Sequence, residues 1–151
     1  MLRLSKKMIF AIEAVVDIAY HSSGQPVQSN EITRRQNIPR RYLEQALQQL
    51  VRANVLTGVR GPRGGYNLAR ERRRISVGDI VRVVRDLETA ADLDINSPRS
   101  KLTTMVVKPM WQNLQVTMMK RLDEISIDDL CTQANAAGVE SAGRQNLDFS
   151  I

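Results

Sequence analysis

Arg41, Glu44, Gln45 and Gln48 carry the hydrogen-bonding groups that read the edges of base pairs. Their spacing puts them on one side of a helix. Arg pairs well with guanine, Gln with adenine and Glu with cytosine in a major groove wide enough for one helix. A solvated helix face has the same composition, so this reading needs support from its surroundings. Support comes from Gly61-Pro62-Arg63-Gly64-Gly65, which separates the β-prone runs 55–60 and 66–68. Arg60 and Arg63 can neutralise phosphates or enter a narrow minor groove, and glycines let a backbone come close to phosphate. Lys6, Lys7, Arg34, Arg35 and the run Arg70, Arg72, Arg73 and Arg74 are further phosphate candidates by charge.

Other chemistries lack their residues. His21 is the only histidine and Cys131 the only cysteine, so one chain cannot build a thiolate metal site or a disulfide. Cys131 reads as a small buried apolar residue. Asp128 and Asp129 follow Ser126 and read as helix-capping residues. No nucleophile–base arrangement and no G-x-x-x-x-G-K-[ST] loop occurs, so no catalytic residue is assigned and an enzyme is not expected.

The elements that must position the base-reading face are legible from periodicity. A first helix is expected over 5–21, with Met8, Ile12, Val15 and Ala19 on one face and Ser5 as its cap. Ser29 caps a short second helix, 30–36, and Asn37 turns the chain. Pro39 opens a third helix, where its missing N–H is harmless. There Leu43, Ala46, Leu47, Leu50 and Val51 face inward, while Arg40, Arg41, Glu44, Gln45, Gln48 and Arg52 face out. Two helices joined by a short turn and followed by a Gly-tipped hairpin make a helix-turn-helix with a wing. Ser76 and Asp79 then start a further helix.

The back of the chain differs. Residues 1–85 carry 16 Lys+Arg against 6 Asp+Glu, whereas 86–151 carry 6 against 10. The basic half suits a polyanion. Residues 88–101 read as a polar linker. A long helix is expected over 102–124, with Pro109 kinking it or marking its start. Val107, Trp111, Leu114, Met118, Leu122 and Ile125 recur at near-heptad spacing, a stripe that pairs with a second copy or packs on its own domain, the first being favoured. A short helix to 137 and a loose tail over 138–151 complete the chain. No apolar run is long enough to span a bilayer, so a cytoplasmic location is expected.

Read in order, Leu4-Ser-Lys-Lys, Tyr42-Leu-Glu-Gln, Val59-Arg-Gly-Pro-x-Gly-Gly-Tyr, Ile75-Ser-Val-Gly-Asp-Ile and Ser126-Ile-Asp-Asp-Leu resemble the IscR/NsrR/CymR-type winged-helix repressors. The resemblance spans roughly 2–88 and 102–131. It implies a mainly α fold with a small β-hairpin, acting as a homodimer on near-palindromic double-stranded promoter DNA. Tyr42, Glu44 and Gln45 match recognition-helix positions that touch DNA, Arg60 matches the wing arginine, and Lys6 lies on the helix that touches the DNA backbone. Many members hold an iron–sulfur cluster on three cysteines. Here 88–102 has none, and Met105 and Lys108 stand where the last cysteine and a histidine would be. The expectation is a cluster-free regulator whose signal is open, a small-molecule effector among the options. The alternative is an interaction protein that docks a partner and binds DNA secondarily.

Overall fold

The starts of the helices are set by local hydrogen bonds. The computed structural model describes residues 4–88 and 100–143. Helix α1 (Lys6–His21) begins behind Ser5, whose hydroxyl accepts the Met8 N–H at 3.2 Å. Helix α2 (Ser29–Gln36) starts one residue earlier than its sequence suggests. Gln28, not Ser29, is the cap, and the Glu31 carboxylate accepts the Gln28 N–H at 3.0 Å. Asn37 takes the left-handed geometry expected of it, at φ 53°, and Pro39 caps α3 (Arg40–Arg52).

Strands β1 (Leu56–Val59) and β2 (Gly65–Leu68) pair antiparallel, with Leu56 opposite Leu68 and Val59 opposite Gly65. Tyr66 also exchanges two backbone hydrogen bonds with Val27, at 2.8 and 3.0 Å, which anchors the hairpin beside the start of α2. A side chain at Gly65 would place its Cβ 2.4 Å from the Val27 carbonyl oxygen, so this anchoring needs glycine.

The core forms around α1. Its fully buried residues are Ala11, Ala14, Val15 and Ile18, while Met8, Ile12 and Ala19 are only partly covered. The expected single stripe is therefore one flank of a central helix, because α2, α3, α4 and α6 pack around it. From α3, Leu43, Leu47 and Leu50 enter this core, each contributing about 1.5–3 kcal/mol by burial.

Helix α4 (Val77–Glu88) and α6 (Ile127–Ala136) begin side by side. Each carries a reciprocal capping box, Ser76 with Asp79 and Ser126 with Asp129, all at 2.9–3.0 Å. The two serines form an antiparallel bridge: the Val77 N–H donates to Ile125 and the Ile127 N–H to Ile75, both at 2.8 Å. Ile127 and Cys131 complete the core around α1. Helix α6 thus belongs to the winged-helix body, not to a separate segment 102–137. The helix period of its sequence could not reveal which neighbour would cover it.

Helix α5 (Lys108–Asp123) follows a π-helical turn, Thr103–Val107. The Lys108 N–H bonds the Thr103 carbonyl, five residues back. Pro109 is the second residue of α5, in its first turn, as the expectation of a helix start has it. Lacking an N–H, it is accommodated by the widened turn before it. The expected linker lies, from 89 to 99, outside the described residues. The expectation of a loose tail is corrected for its first residues. Ser141 Oγ donates to the Tyr20 carbonyl at 2.7 Å, the Ala142 N–H donates to His21 Nδ1 at 3.0 Å, and the Tyr20 hydroxyl donates to the Val139 carbonyl. The end of α1 leaves carbonyls without helical partners, and Ser141 satisfies that of Tyr20. Residues 144–151 lie outside the described residues.

Candidate nucleic-acid interface

Burying the leucines of α3 turns its other side outward. Arg40, Arg41, Tyr42, Glu44, Gln45 and Gln48 are all exposed. Arg40 Nε donates to Glu44 Oε1 at 3.0 Å across one helical turn, an exposed pair worth a few tenths of a kcal/mol. It can therefore open to let either group reach a base or a phosphate. Tyr42, 42% exposed, is held from below: its ring centroid lies 6.2 Å from that of Phe10, and Lys7 Nζ sits 5.9 Å from it. A groove of about 360 Å³ runs here between α1, α3 and α4, walled by Phe10, Tyr42, Ala46 and Val84 and edged by Gln45, Gln48 and Gln49. The support that Lys7 and Phe10 give Tyr42 has no sequence signal beyond the charge of Lys7.

The wing stands beside α2. Arg60 and Arg63 are exposed. A cleft of about 520 Å³ lies between the hairpin and the α2 N-terminus, lined by Gln28, Ser29, Asn30, Arg40, Val59, Arg60 and Tyr66. Free N–H groups at a helix start and two arginines make a setting for an anion. Gly58, Gly61, Gly64 and Gly65 also line this cleft. Gly64 and Gly65 serve the protein's own backbone, since a Cβ at Gly64 would lie 2.2 Å from the Val59 carbonyl oxygen. The Pro62 carbonyl accepts from Gln28 Nε2 at 3.3 Å, which ties the tip to the start of α2.

Lys6 and Arg34 are exposed on α1 and α2. Three other cations expected at phosphate pair with the protein's own acids, Arg35 with a buried one and Arg70 and Arg72 at the surface. Arg35 donates from Nε at 2.9 Å and Nη2 at 2.8 Å to Asp17, which Gln36 Nε2 also reaches at 2.7 Å. The Asp17 carboxylate is fully buried, and its hydrogen bonds raise the Arg35 pKa. Arg70 reaches the Asn54 carbonyl at 3.4 Å and Asp79 at 3.5 Å, and Arg72 pairs with Asp128 at 2.6 Å. The helices bring these acids to the arginines, which charge counting cannot show.

The expected stripe on α5 divides. Val107, Leu114 and Met118 are exposed, whereas Trp111, Leu122 and Ile125 are partly covered. Leu102, Met105, Val106, Met110 and Val116 enlarge the exposed apolar surface beyond the stripe, Met105 at 72% exposure. No helix among the described residues is long and apolar enough to cross a membrane.

Residues 4–133 match the model of the Rrf2 family, described as iron-dependent transcriptional regulators. The chain is 29% identical over 150 residues to the HTH-type transcriptional regulator IscR of Vibrio atlanticus (strain LGP32), covering 99% of this chain and 86% of that one. It is 29% identical over 135 residues to protein rrf2 of Nitratidesulfovibrio vulgaris, covering 89% and 90%. Among solved structures, T. potens IscR superposes with a TM-score of 0.72 at 36% identity over 90% of both chains. CymR, the global cysteine regulator of B. subtilis, gives a TM-score of 0.69 at 24% identity, covering 88% of this chain and 98% of that one, a likeness of fold. These relatives are regulators and not enzymes. With its helix-turn-helix, its wing and this match along most of its length, the chain belongs to the Rrf2 family of DNA-binding winged-helix transcriptional regulators.

Proposed function

We propose that the chain is a homodimeric repressor of near-palindromic promoter DNA that works without a cysteine-ligated iron–sulfur cluster. The observation that carries the DNA reading is the outward face of α3, with Arg41, Tyr42, Glu44, Gln45 and Gln48 all exposed beside the arginines of the wing. Such a helix enters the major groove while the hairpin follows the adjoining backbone. The dimer reading is supported by the exposed apolar surface of α5 and the π-helical turn before it, which includes Leu102, Met105 and Leu114. A surface of this kind on a folded chain marks an interface. A dimer seated on a promoter excludes the polymerase, hence repression.

The family description names iron, and the donor set here does not suit a cluster. Clusters are held by several thiolates. This chain has one cysteine, and Cys131 lies 3% exposed on α6, within the core around α1. The thioether of Met105 and the ammonium of Lys108 replace the thiolate and imidazole that the resemblance implies. Metal and sulfide analysis of anaerobically purified protein is expected to give neither in stoichiometric amount, and stoichiometric iron and sulfide would refute this part.

The principal test is selection of bound fragments from genomic DNA at a stated salt concentration. The expected product is a motif of two inverted halves, centres about one helical turn apart. Fragments without a common motif would overturn the reading. Light scattering is expected to show a dimer, with Leu114→Glu reducing it to a monomer. A monomeric wild-type chain would leave the α5 surface to another protein and return the alternative reading, an interaction module.

A further inference from the structure

Helix α5 contributes no fully buried side chain to the protein. Its seam with α4 contains a groove of about 600 Å³ edged by polar and charged groups, Arg85, Gln112, Gln115 and Lys120 among them. Val116 and Met119 also line this groove, so along this stretch the two helices leave open space between mixed polar and apolar side chains. At the C-terminal end of α5 the situation reverses. Asp123 accepts from Arg82 Nη1 at 2.8 Å and Nη2 at 2.5 Å. Arg82 Nη1 also lies 3.7 Å from Asp79, the residue that caps α4. A Cβ on Gly78, in the first turn of α4, would fall 1.9 Å from Asp123 Oδ1 and 3.1 Å from the Asp123 backbone nitrogen. Immediately beyond, the Ser76–Ser126 bridge ties the two backbones together.

We propose that Asp123, Arg82 and Gly78 form a positioning joint that fixes the angle of α5 against the winged-helix body and thereby the separation of the two recognition helices in the dimer. The proposal rests on the homodimer reading. Leverage makes the joint consequential. Helix α5, of 16 residues, is about 24 Å long, so a rotation of about 10° at one end moves the other by about 4 Å. One base pair of DNA rises about 3.4 Å. A joint that slackens by this amount puts the second recognition helix out of step with its half-site, although neither helix has changed. The pair is not there mainly for stability. Arg82 and Asp123 are each roughly 40% exposed, and ion pairs so open to water contribute little to folding.

Two variants reach the same carboxylate by different routes. Asp123→Asn removes its charge, and Gly78→Ala displaces it while keeping the charge. The probe is the tightest duplex recovered by the wild-type protein from a random-duplex selection. It is compared with the same duplex carrying one scrambled half, and with duplexes lengthened by one or two base pairs between the halves. Both variants should remain dimers and should keep half-site affinity within about twofold. Full-site affinity should fall about tenfold as the effective concentration of the second half drops, and the lengthened duplexes should be discriminated less sharply. Equal full-site affinity and unchanged spacer discrimination in the variants would overturn the joint's role. So would a half-site affinity that falls by the same factor as the full-site affinity. If Gly78→Ala does not fold, Asp123→Asn and Arg82→Gln decide. A wild-type chain that is monomeric overturns the dimer reading and the joint with it. A wild-type dimer with sharp spacer discrimination and indifferent variants overturns the joint alone.

Discussion

Arg34 and Arg35 are adjacent and chemically identical, and the structure gives them opposite tasks. The Arg35 guanidinium supplies two of the hydrogen bonds to the fully buried Asp17 carboxylate, and Gln36 a third. Arg35→Ala would leave that carboxylate with Gln36 and a distant His21, whose Nε2 lies 3.9 Å away. Removing one partner of a buried pair costs about 3–5 kcal/mol. The Arg35 side chain is itself 23% exposed, so water can enter the vacated space and the cost falls near the lower end, about 3 kcal/mol. With a urea slope of about 2 kcal/mol per M, the unfolding midpoint should drop by about 1.5 M with the slope unchanged. Arg34→Ala, on the exposed face, should alter stability by less than about 0.5 kcal/mol. If Arg34 meets a phosphate, its loss should reduce the salt slope of DNA binding by about 0.9 per subunit, whereas Arg35→Ala should leave that slope intact at temperatures where it stays folded. Urea titration and binding isotherms at four salt concentrations would measure both. A loss below about 1 kcal/mol for Arg35→Ala, accompanied by a flattened salt slope, would refute the internal role of Arg35.

Glu44→Ala or Gln48→Ala should change which bases are preferred at one position of the half-site, by about 1–3 kcal/mol per lost contact, read by competition against single-base variants. Arg60→Ala and Arg63→Ala should instead weaken binding to all duplexes and lower the salt slope by about 1 each. Burial raises the Cys131 pKa, with Arg72 partly opposing it, so the thiol should resist a disulfide reagent at pH 8 until urea unfolds the protein. Burial lowers the His21 pKa from its ordinary 6.5, against an opposing pull from Asp17. The unfolded chain then binds more protons than the folded one in this range, so stability is full above about pH 6.5 and declines as the pH falls below it. Because His21 Nδ1 accepts the Ala142 N–H, protonating the folded-state imidazole removes that acceptor, so the protection factor of the Ala142 amide, referred to its intrinsic exchange rate at each pH, should fall at still lower pH, and His21→Gln should remove both effects.

What could be read from the residues was whatever depends on neighbours in sequence. The 3.6-residue period of α3, its Pro39 start, the Ser76 and Ser126 boxes and the Gly-rich turn each act over a few residues, and each appears where expected. The failures share a different physical origin. Helix α1 is buried on more than one side, and of its further buried positions Ala11 and Ala14 are small enough for other helices to approach but faint in a hydrophobicity pattern, while Ile18 and Tyr20 fall off the expected stripe. Asp17 carries no local signal of its role, because its partners on α2 are 18 and 19 residues away. The docking of Ser141 and Ala142 on α1 spans 121 residues and uses backbone groups, which carry no sequence signature.

The charge asymmetry between the two halves is where these long-range pairings matter most for function. Counted along the chain, the basic half suggests a surface uniformly attractive to DNA. In the folded protein Arg35, Arg70, Arg72 and Arg82 are each matched to an acid, and for Arg72 and Arg82 that acid is Asp128 or Asp123 from the acidic half. The acidic half therefore neutralises arginines around the joint between α4, α5 and α6, well away in the chain from the wing and α3. Among the described residues, the cations in no such ion pair include Lys6, Lys7, Arg34, Arg41, Arg60 and Arg63, on the elements that carry or flank the proposed interface. A field sorted in this way orients the protein before contact, because attraction to phosphate is strongest where cations lack internal partners. Asp128→Asn should free Arg72 and add non-specific DNA binding without improving the preference for the selected site. A gain confined to that site would show that the acids tune recognition directly and do not serve to mask arginines.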